Sequence, residues 1–163
     1  NVYKIYIIND LLKDLKGKAK FSVIDFNGNQ HWTNDKDVTI SSNSSTKISE
    51  LTNEILKGTS STKAFLQIEF ESNGEKYSRN YFFEKPKNLQ LKKPTIKIKK
   101  INDNQIEIST NALAKDVYLL DENNQFDDNF FDLIPNESRI ITGKNTIKNL
   151  KIYSLYDTMN AEN

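Results

Sequence analysis

The sequence has no cysteine and only one histidine, His31, among its 163 residues. Without thiols, the chain can form neither disulfides nor zinc–thiolate clusters, and it has no cysteine nucleophile. A single imidazole excludes a metal site with several histidine ligands, and a histidine that follows a turn is most simply an edge or surface residue. We therefore expect no catalytic residue, no metal site and no cofactor in this chain.

Long apolar runs and an excess of one charge are also missing. Twenty-three Lys and Arg residues oppose 22 Asp and Glu residues, which leaves a net charge of +1 and no field that would gather nucleic acid or anionic lipid. No run approaches the roughly 20 apolar residues of a membrane span, and the start has no signal-peptide pattern. The sequence predicts neither a nucleic-acid nor a membrane partner. Because the chain opens on Asn1 and enters an apolar segment at once, we expect a piece of a longer polypeptide.

Short apolar runs with a period of two fill most of the chain, as in Ile96-Lys97-Ile98 and Ile106-Glu107-Ile108. This alternation is typical of half-buried β-strands. Asn-Gly pairs at 27–28 and 73–74 favour hairpin turns, because both residues tolerate positive φ. Helical character is confined to 10–16 and 49–57. The predicted strands are 2–8, 18–26, 30–33, 36–41, 45–51, 62–71, 75–84, 95–101, 105–110, 115–120, 128–133, 137–142 and 149–156.

Proline is scarce, and two of the three prolines, Pro86 and Pro94, bracket a basic, polar stretch. Neither can complete a β-ladder, so 87–94 is predicted to be a linker. Six or seven strands lie on each side, as in a small immunoglobulin-like sandwich. The sequence thus predicts an all-β fold with two tandem antiparallel immunoglobulin-like β-sandwich domains, 1–86 and 95–163.

Trp32, the single tryptophan, is the candidate carbohydrate contact. An exposed indole face can stack on a pyranose ring, whereas a tryptophan in a sandwich is more often a core residue. Without a neighbouring aromatic array the core interpretation is favoured, and the sugar contact stays open. Lys97 and Lys99 would share a strand face opposite Ile96 and Ile98, which favours a solvated surface over a polyanion site.

The acid-rich stretch 121–132 supplies enough oxygen atoms for a calcium ion. It lacks the alternating carboxylates and the central glycine of an EF-hand loop. The favoured alternative is a polar connection whose Asp and Asn side chains satisfy local backbone groups. Phe126, Phe130 and Phe131 are interpreted as the apolar anchors of this stretch.

Several segments of the chain resemble, in order and spacing, the C-terminal domains of family-two glycoside hydrolases of the β-mannosidase type. The first half has an entry strand that reaches the turn Asn9-Asp10 and a leucine-bearing connection, followed by a hairpin with Trp32. The second half has three further segments after the proline-bounded linker. The segments are 5–17, 23–28, 78–83, 114–119, 128–135 and 154–157.

The resemblance implies that these domains are non-catalytic accessory domains of a larger enzyme. The parent would hydrolyse terminal β-D-mannose with retention, using two glutamates of a catalytic (β/α)₈ barrel that this chain lacks. That barrel is the expected partner, and carbohydrate is the candidate ligand. Two alternatives stay open: a free-standing carbohydrate-binding or adhesive module, and the same region of a β-galactosidase or glucuronidase. A bacterial source is expected, with a periplasmic or extracellular location favoured over a cytoplasmic one.

Overall fold

The structure is a computed structural model that describes residues 1–160. It confirms an all-β fold with antiparallel sheets. The chain divides into two compact units. The first unit comprises Asn1–Asp25 and Asn29–Lys85, and the second comprises Phe26–Gly28 and the chain from Pro86 onward. The predicted domain boundaries 1–86, 87–94 and 95–163 stay a prediction.

The first unit is built from six strands in two sheets. A two-stranded sheet pairs β1 with β4, and a four-stranded sheet has the order β3-β2-β5-β6. Alternation along β2 and β5 turns Phe21, Val23 and Leu66 into the core, where they are almost fully buried. The strands are β1 (Val2–Asn9), β2 (Leu15–Asp25), β3 (Gln30–Ile40), β4 (Ser44–Thr52), β5 (Ala64–Ser72) and β6 (Glu75–Phe82).

The second unit contains two three-stranded sheets, with the orders β11-β8-β7 and β10-β9-β12. Its core joins residues such as Ile108, Val117, Leu119 and Ile141, which are buried. The strands are β7 (Ile96–Lys100), β8 (Gln105–Thr110), β9 (Ala114–Leu120), β10 (Phe131–Leu133), β11 (Ser138–Thr142) and β12 (Lys151–Tyr153), followed by the helix α1 (Leu155–Met159).

The predicted break between strands 30–33 and 36–41 is wrong, because β3 is continuous from Gln30 to Ile40. The polar residues Asn34 and Asp35 predicted a turn, but they pair with Phe21 and Lys20 of β2. An edge strand can carry polar side chains here because much of its surface faces solvent.

Of the two predicted helical segments, the first is wrong and the second contains a single helical turn only in its last part. Residues 10–14 form an irregular turn, since β2 already begins at Leu15. In 49–57, β4 continues to Thr52 and is followed by a 3₁₀ turn, Asn53–Leu56, which buries Ile55. A second 3₁₀ turn spans Pro86–Asn88. No helix within residues 1–160 is long and apolar enough to cross a membrane.

Both Asn-Gly pairs lie in hairpin turns, but only one has the predicted geometry. Asn73 and Gly74 have φ values of 53° and 81°, as a type I′ turn requires. At the other turn only Gly28, with φ of 89°, is in the left-handed region.

The last predicted strand, 149–156, is wrong beyond Tyr153, where a helical turn replaces it. The main-chain N–H of Ser154 donates to Asp157 Oδ2 over 2.7 Å, and the Ser154 hydroxyl donates to the same oxygen over 2.8 Å. A carboxylate at this position satisfies donors at the helix start. The sequence signals were Ser-x-x-Asp at 154–157 and the i, i+3, i+4 spacing of Ile152, Leu155 and Tyr156.

Candidate functional site

Trp32 lies on β3 opposite Val23, on the side of the four-stranded sheet that faces the core. Its indole is half-buried and packs against the core of the first unit. The contact agrees with the core interpretation, while the remaining exposed surface leaves the sugar contact as a prediction.

His31 is the extra residue of a β-bulge, since Val23 pairs with Trp32 and Ile24 pairs with Gln30. Its Nε2 lies 3.0 Å from Asp25 Oδ2. The other carboxylate oxygen of Asp25 accepts the main-chain N–H of Asn29 over 3.0 Å. The imidazole and the carboxylate thus brace the turn between β2 and β3, a role that the sequence pattern alone did not assign.

Carboxylates of the acid-rich stretch 121–132 bind it to neighbouring segments of the second unit. Buried Asp121 accepts main-chain N–H groups of Lys148, Asn149 and Asn123 over 3.0–3.2 Å. These backbone hydrogen bonds, that from Lys148 foremost, hold the pKa of Asp121 below its usual value of 3.8.

Two other acids of this stretch also have partners. Asp127 Oδ1 accepts the N–H of Thr142 over 2.9 Å, and Asp128 forms an ion pair with Arg139. The contact of Asp127 with a backbone N–H is of the kind that the polar-connection alternative predicts. Among residues 1–160, no group of three or more His, Cys, Asp and Glu side chains is arranged to hold a metal ion.

The three phenylalanines of this stretch behave differently from one another. Phe131 is buried in the core and Phe126 packs partly against it, as the anchor interpretation expects. Phe130 contradicts that interpretation, because 68% of its surface is exposed.

The lysines of β7 lie on a solvated face, as expected. Lys97 and Lys99 are exposed, and Lys99 Nζ lies 3.3 Å from Glu107 Oε2 of the neighbouring strand. Glu107 thus offsets one of the two positive charges on this face.

Sequence reasoning missed an apolar groove in the first unit, between β1 and β6. It has a volume of about 270 Å³, with Phe70 and Ile68 among its lining residues and Tyr6, Tyr77 and Arg79 around them. Tyr6 and Tyr77 are more than half exposed. Arg79 shares the core-facing side of β6, because it pairs with Ile68. Alternation had predicted these residues as ordinary strand positions, because the sequence does not show that the smaller sheet has only two strands.

Two protein-family models match the chain in tandem. The mannosidase Ig/CBM-like domain matches residues 1–88, and an Ig-fold domain of mannosidases matches residues 91–158. No curated protein matches the sequence. The matches agree with the predicted immunoglobulin-like architecture of both halves.

Solved structures share this fold. A β-D-mannosidase from Dictyoglomus thermophilum aligns with 94% of the chain at 23% identity and a TM-score of 0.72. An exo-chitosanase from Amycolatopsis orientalis aligns with 93% at 12% identity and a TM-score of 0.54. The chain spans only 21% and 24% of the length of these two proteins. Since the first family model alone covers more than half of the sequence, the chain belongs to the mannosidase Ig/CBM-like domain family.

Proposed function

We propose that the chain forms non-catalytic accessory domains of a family-two glycoside hydrolase, a β-mannosidase that releases terminal β-D-mannose with retention. The observation that carries this proposal is the tandem order of the two matched domains over residues 1–88 and 91–158. Retaining hydrolysis requires two carboxyl groups about 5 Å apart on either side of the scissile bond. We assign both to a catalytic (β/α)₈ barrel in the same polypeptide.

The contacts of the polar side chains support a structural role for this chain. His31 and Asp25 brace a hairpin, and Asp121 binds three backbone N–H groups. Side chains that are committed to the backbone in this way stabilise loops rather than transfer protons to a substrate.

The groove between β1 and β6 supports a neighbouring protein domain as partner. Exposed aliphatic residues, including Val2, Ile8 and Leu12, lie on β1 or just after it. The side chain of Arg79 has no ion pair or hydrogen bond within residues 1–160. An apolar surface beside an unpaired cation is typical of a protein contact that supplies apolar side chains and a carboxylate. We assign this surface to contact with the barrel.

An activity assay tests the non-catalytic assignment. The purified chain should give no product from p-nitrophenyl β-D-mannopyranoside, because the nucleophile and the acid belong to the barrel. Hydrolysis that survives removal of host glycosidases would contradict the assignment.

The gene upstream of the codon for Asn1 tests the parentage. An upstream reading frame with eight alternating strands and helices supports the proposal. A stop codon or a signal sequence directly before Asn1 would contradict it. The specificity of the intact enzyme is then measured on mannosides, galactosides and glucuronides, and preference for either of the last two would overturn the β-mannosidase assignment.

The rival function is a free-standing carbohydrate-binding module, favoured by the partly exposed indole of Trp32. Trp32 is the only tryptophan, so its fluorescence reports directly on this site. The accessory assignment predicts no saturable change on titration with mannose or mannan oligosaccharides. A saturable change that Trp32→Phe abolishes would favour the module.

A further inference from the structure

Three aromatic side chains of the second unit share the outer face of the sheet β10-β9-β12. Tyr118 of β9 is flanked in sequence by the buried Val117 and Leu119, so its side chain points away from the core. Tyr153 of β12 pairs directly with Tyr118 and therefore lies on the same face. The Phe130 ring stacks on Tyr118, with 5.0 Å between centroids and 21° between planes.

Phe130 is held in place by backbone contacts rather than by burial. Its φ of 58° lies in the left-handed region, which bulky side chains rarely adopt. Its N–H donates to the main-chain oxygen of Val117 over 2.8 Å. The neighbouring Asn129 accepts the N–H of Leu119 over 2.7 Å and donates to its carbonyl over 2.9 Å. The fold thus maintains an unfavourable conformation that leaves an aromatic ring 68% exposed.

A polar recess adjoins this aromatic row. Lys151 lies two residues before Tyr153 on the same face and pairs with Leu120. Together with Glu122 and Asn149 it lines a recess of about 300 Å³. Within residues 1–160, none of these three polar side chains has a hydrogen bond or an ion pair to another side chain.

We propose that Tyr118, Phe130 and Tyr153 form a binding platform for a neutral oligosaccharide. The C–H faces of its sugar rings stack on the exposed aromatic rings, and its hydroxyl groups bond to the side chains of the recess. A sugar site combines an aromatic surface with polar hydrogen-bonding side chains, and both lie side by side here. This platform is independent of Trp32 and of the accessory role proposed above.

The surroundings favour a sugar over a protein partner and a neutral sugar over a charged one. The groove of the first unit combines tyrosines with exposed aliphatic side chains such as Ile8, whereas the exposed large side chains of the platform are aromatic. Lys151 and Glu122 carry opposite charges, so the recess offers no excess charge to an anionic chain.

NMR titration of the 163-residue chain with mannohexaose, cellohexaose and chitohexaose tests the proposal. The proposal is supported if at least one of these oligosaccharides causes saturable shifts at Tyr118, Phe130, Tyr153 and Lys151. Trp32 fluorescence should not change in the same titration. Hexagalacturonate should bind more weakly than the neutral chains. Absence of saturable shifts up to millimolar concentrations, or shifts confined to the first unit, would overturn it.

Variants of Phe130 separate the ring from the fold. Phe130→Gly removes the ring and relieves the left-handed backbone, so the variant should still fold. It should bind the oligosaccharide about ten-fold more weakly than the parent chain. Phe130→Tyr keeps the stacking surface and should bind within about two-fold of the parent chain. Tyr77→Ala, in the first unit, should leave binding unchanged. If Phe130→Tyr loses as much affinity as Phe130→Gly, or if the platform signals broaden with protein concentration and not with sugar, the platform is not a sugar site.

Discussion

The side-chain nitrogen of Asn9 lies 3.0 Å from the main-chain oxygen of Ser41, which joins the end of β1 to the end of β3. The same amide donates to Lys13 O over 2.9 Å, and its oxygen accepts the N–H of Leu11 over 3.1 Å. Asn9 is almost completely buried. One amide therefore fixes the exit of β1, the irregular turn that follows and Ser41, the residue after β3.

Asn9→Ala should lower the free energy of unfolding of the first unit by about 2–4 kcal/mol. The substitution leaves several buried backbone groups without partners, at a cost of about 1–3 kcal/mol each when no water replaces the amide. Urea unfolding followed by Trp32 fluorescence measures the loss. Asn53→Ala is the control, because Asn53 is exposed and its side-chain oxygen accepts the Tyr3 hydroxyl. An equal loss of unfolding free energy in Asn9→Ala and Asn53→Ala would contradict the role of Asn9.

The sequence predicted strands wherever one face of a strand is buried and the other is solvated. Alternation in β8, for example, follows from Ile106 and Ile108 facing the core between polar neighbours. It failed in β3, where the ladder with β2 rather than an apolar stripe maintains the strand through Asn34 and Asp35. Backbone pairing does not depend on side-chain polarity, so the continuity of β3 could not be predicted from its own residues.

Candidate sites were harder to predict than strands because they depend on residues far apart in the chain. The groove of the first unit brings Tyr6 to Tyr77, and the aromatic row brings Tyr118 to Tyr153. Phe130 was interpreted as an anchor together with Phe126 and Phe131, but Phe131 is buried and Phe130 is 68% exposed. The positive φ of Phe130 accompanies a backbone hydrogen bond to Val117, and the local sequence does not show such a contact.

Glu69→Gln should destabilise the first unit by about 1 kcal/mol at low salt. Glu69 lies between two lysines on the outer face of the four-stranded sheet, in an ion pair with Lys76 and 4.0 Å from Lys20 Nζ. Its side chain is only 15% exposed, so the pairs are screened less than ordinary surface pairs.

Thermal unfolding at low and high salt measures this contribution, which should shrink as salt screens the pairs. Asp103→Asn is the matched control, because both members of the pair Lys100–Asp103 are well exposed. The free energy of unfolding should fall clearly less in Asp103→Asn than in Glu69→Gln, because solvent screens an exposed pair. A loss for Glu69→Gln that does not depend on salt would show that the charges are not responsible.

Gly17→Ala should destabilise the first unit by about 3 kcal/mol, the upper range for an overpacked site. A Cβ atom at Gly17 would lie 2.2 Å from the main-chain oxygen of Glu71 and 2.7 Å from the Phe70 ring. Because a backbone atom is the obstacle, β2 and β5 must separate locally.

Gly74→Ala provides the comparison for Gly17. No atom lies within 4 Å of its hypothetical Cβ, and only its φ of +81° opposes a side chain. Gly74→Ala should lower the free energy of unfolding by about 1 kcal/mol. Chemical denaturation measures the free energy of unfolding of both variants. A loss of stability in Gly74→Ala that equals or exceeds the loss in Gly17→Ala would refute the steric explanation.

Asp121→Asn should lower the melting temperature of the second unit at pH 7, with a difference from the parent chain that narrows in acid. The carboxylate accepts the N–H groups of Lys148, Asn149 and Asn123, and these bonds lower its pKa from the ordinary value of 3.8. A group whose pKa is lowered by folding stabilises the protein above its unfolded pKa, and that contribution is lost as the pH falls through the folded pKa.

The melting temperatures of Asp121→Asn and the parent chain should therefore differ most at neutral pH. The difference should shrink progressively once the pH falls below about 3.8. Asn keeps one acceptor oxygen and has no charge, so its own contribution does not change with pH over this range. Melting curves from pH 7 down to about pH 2.5 follow the second unit by aromatic circular dichroism. A difference that stays constant over this range would mean that the negative charge of Asp121 does not hold Lys148 and Asn149, and that only the shape of the side chain matters.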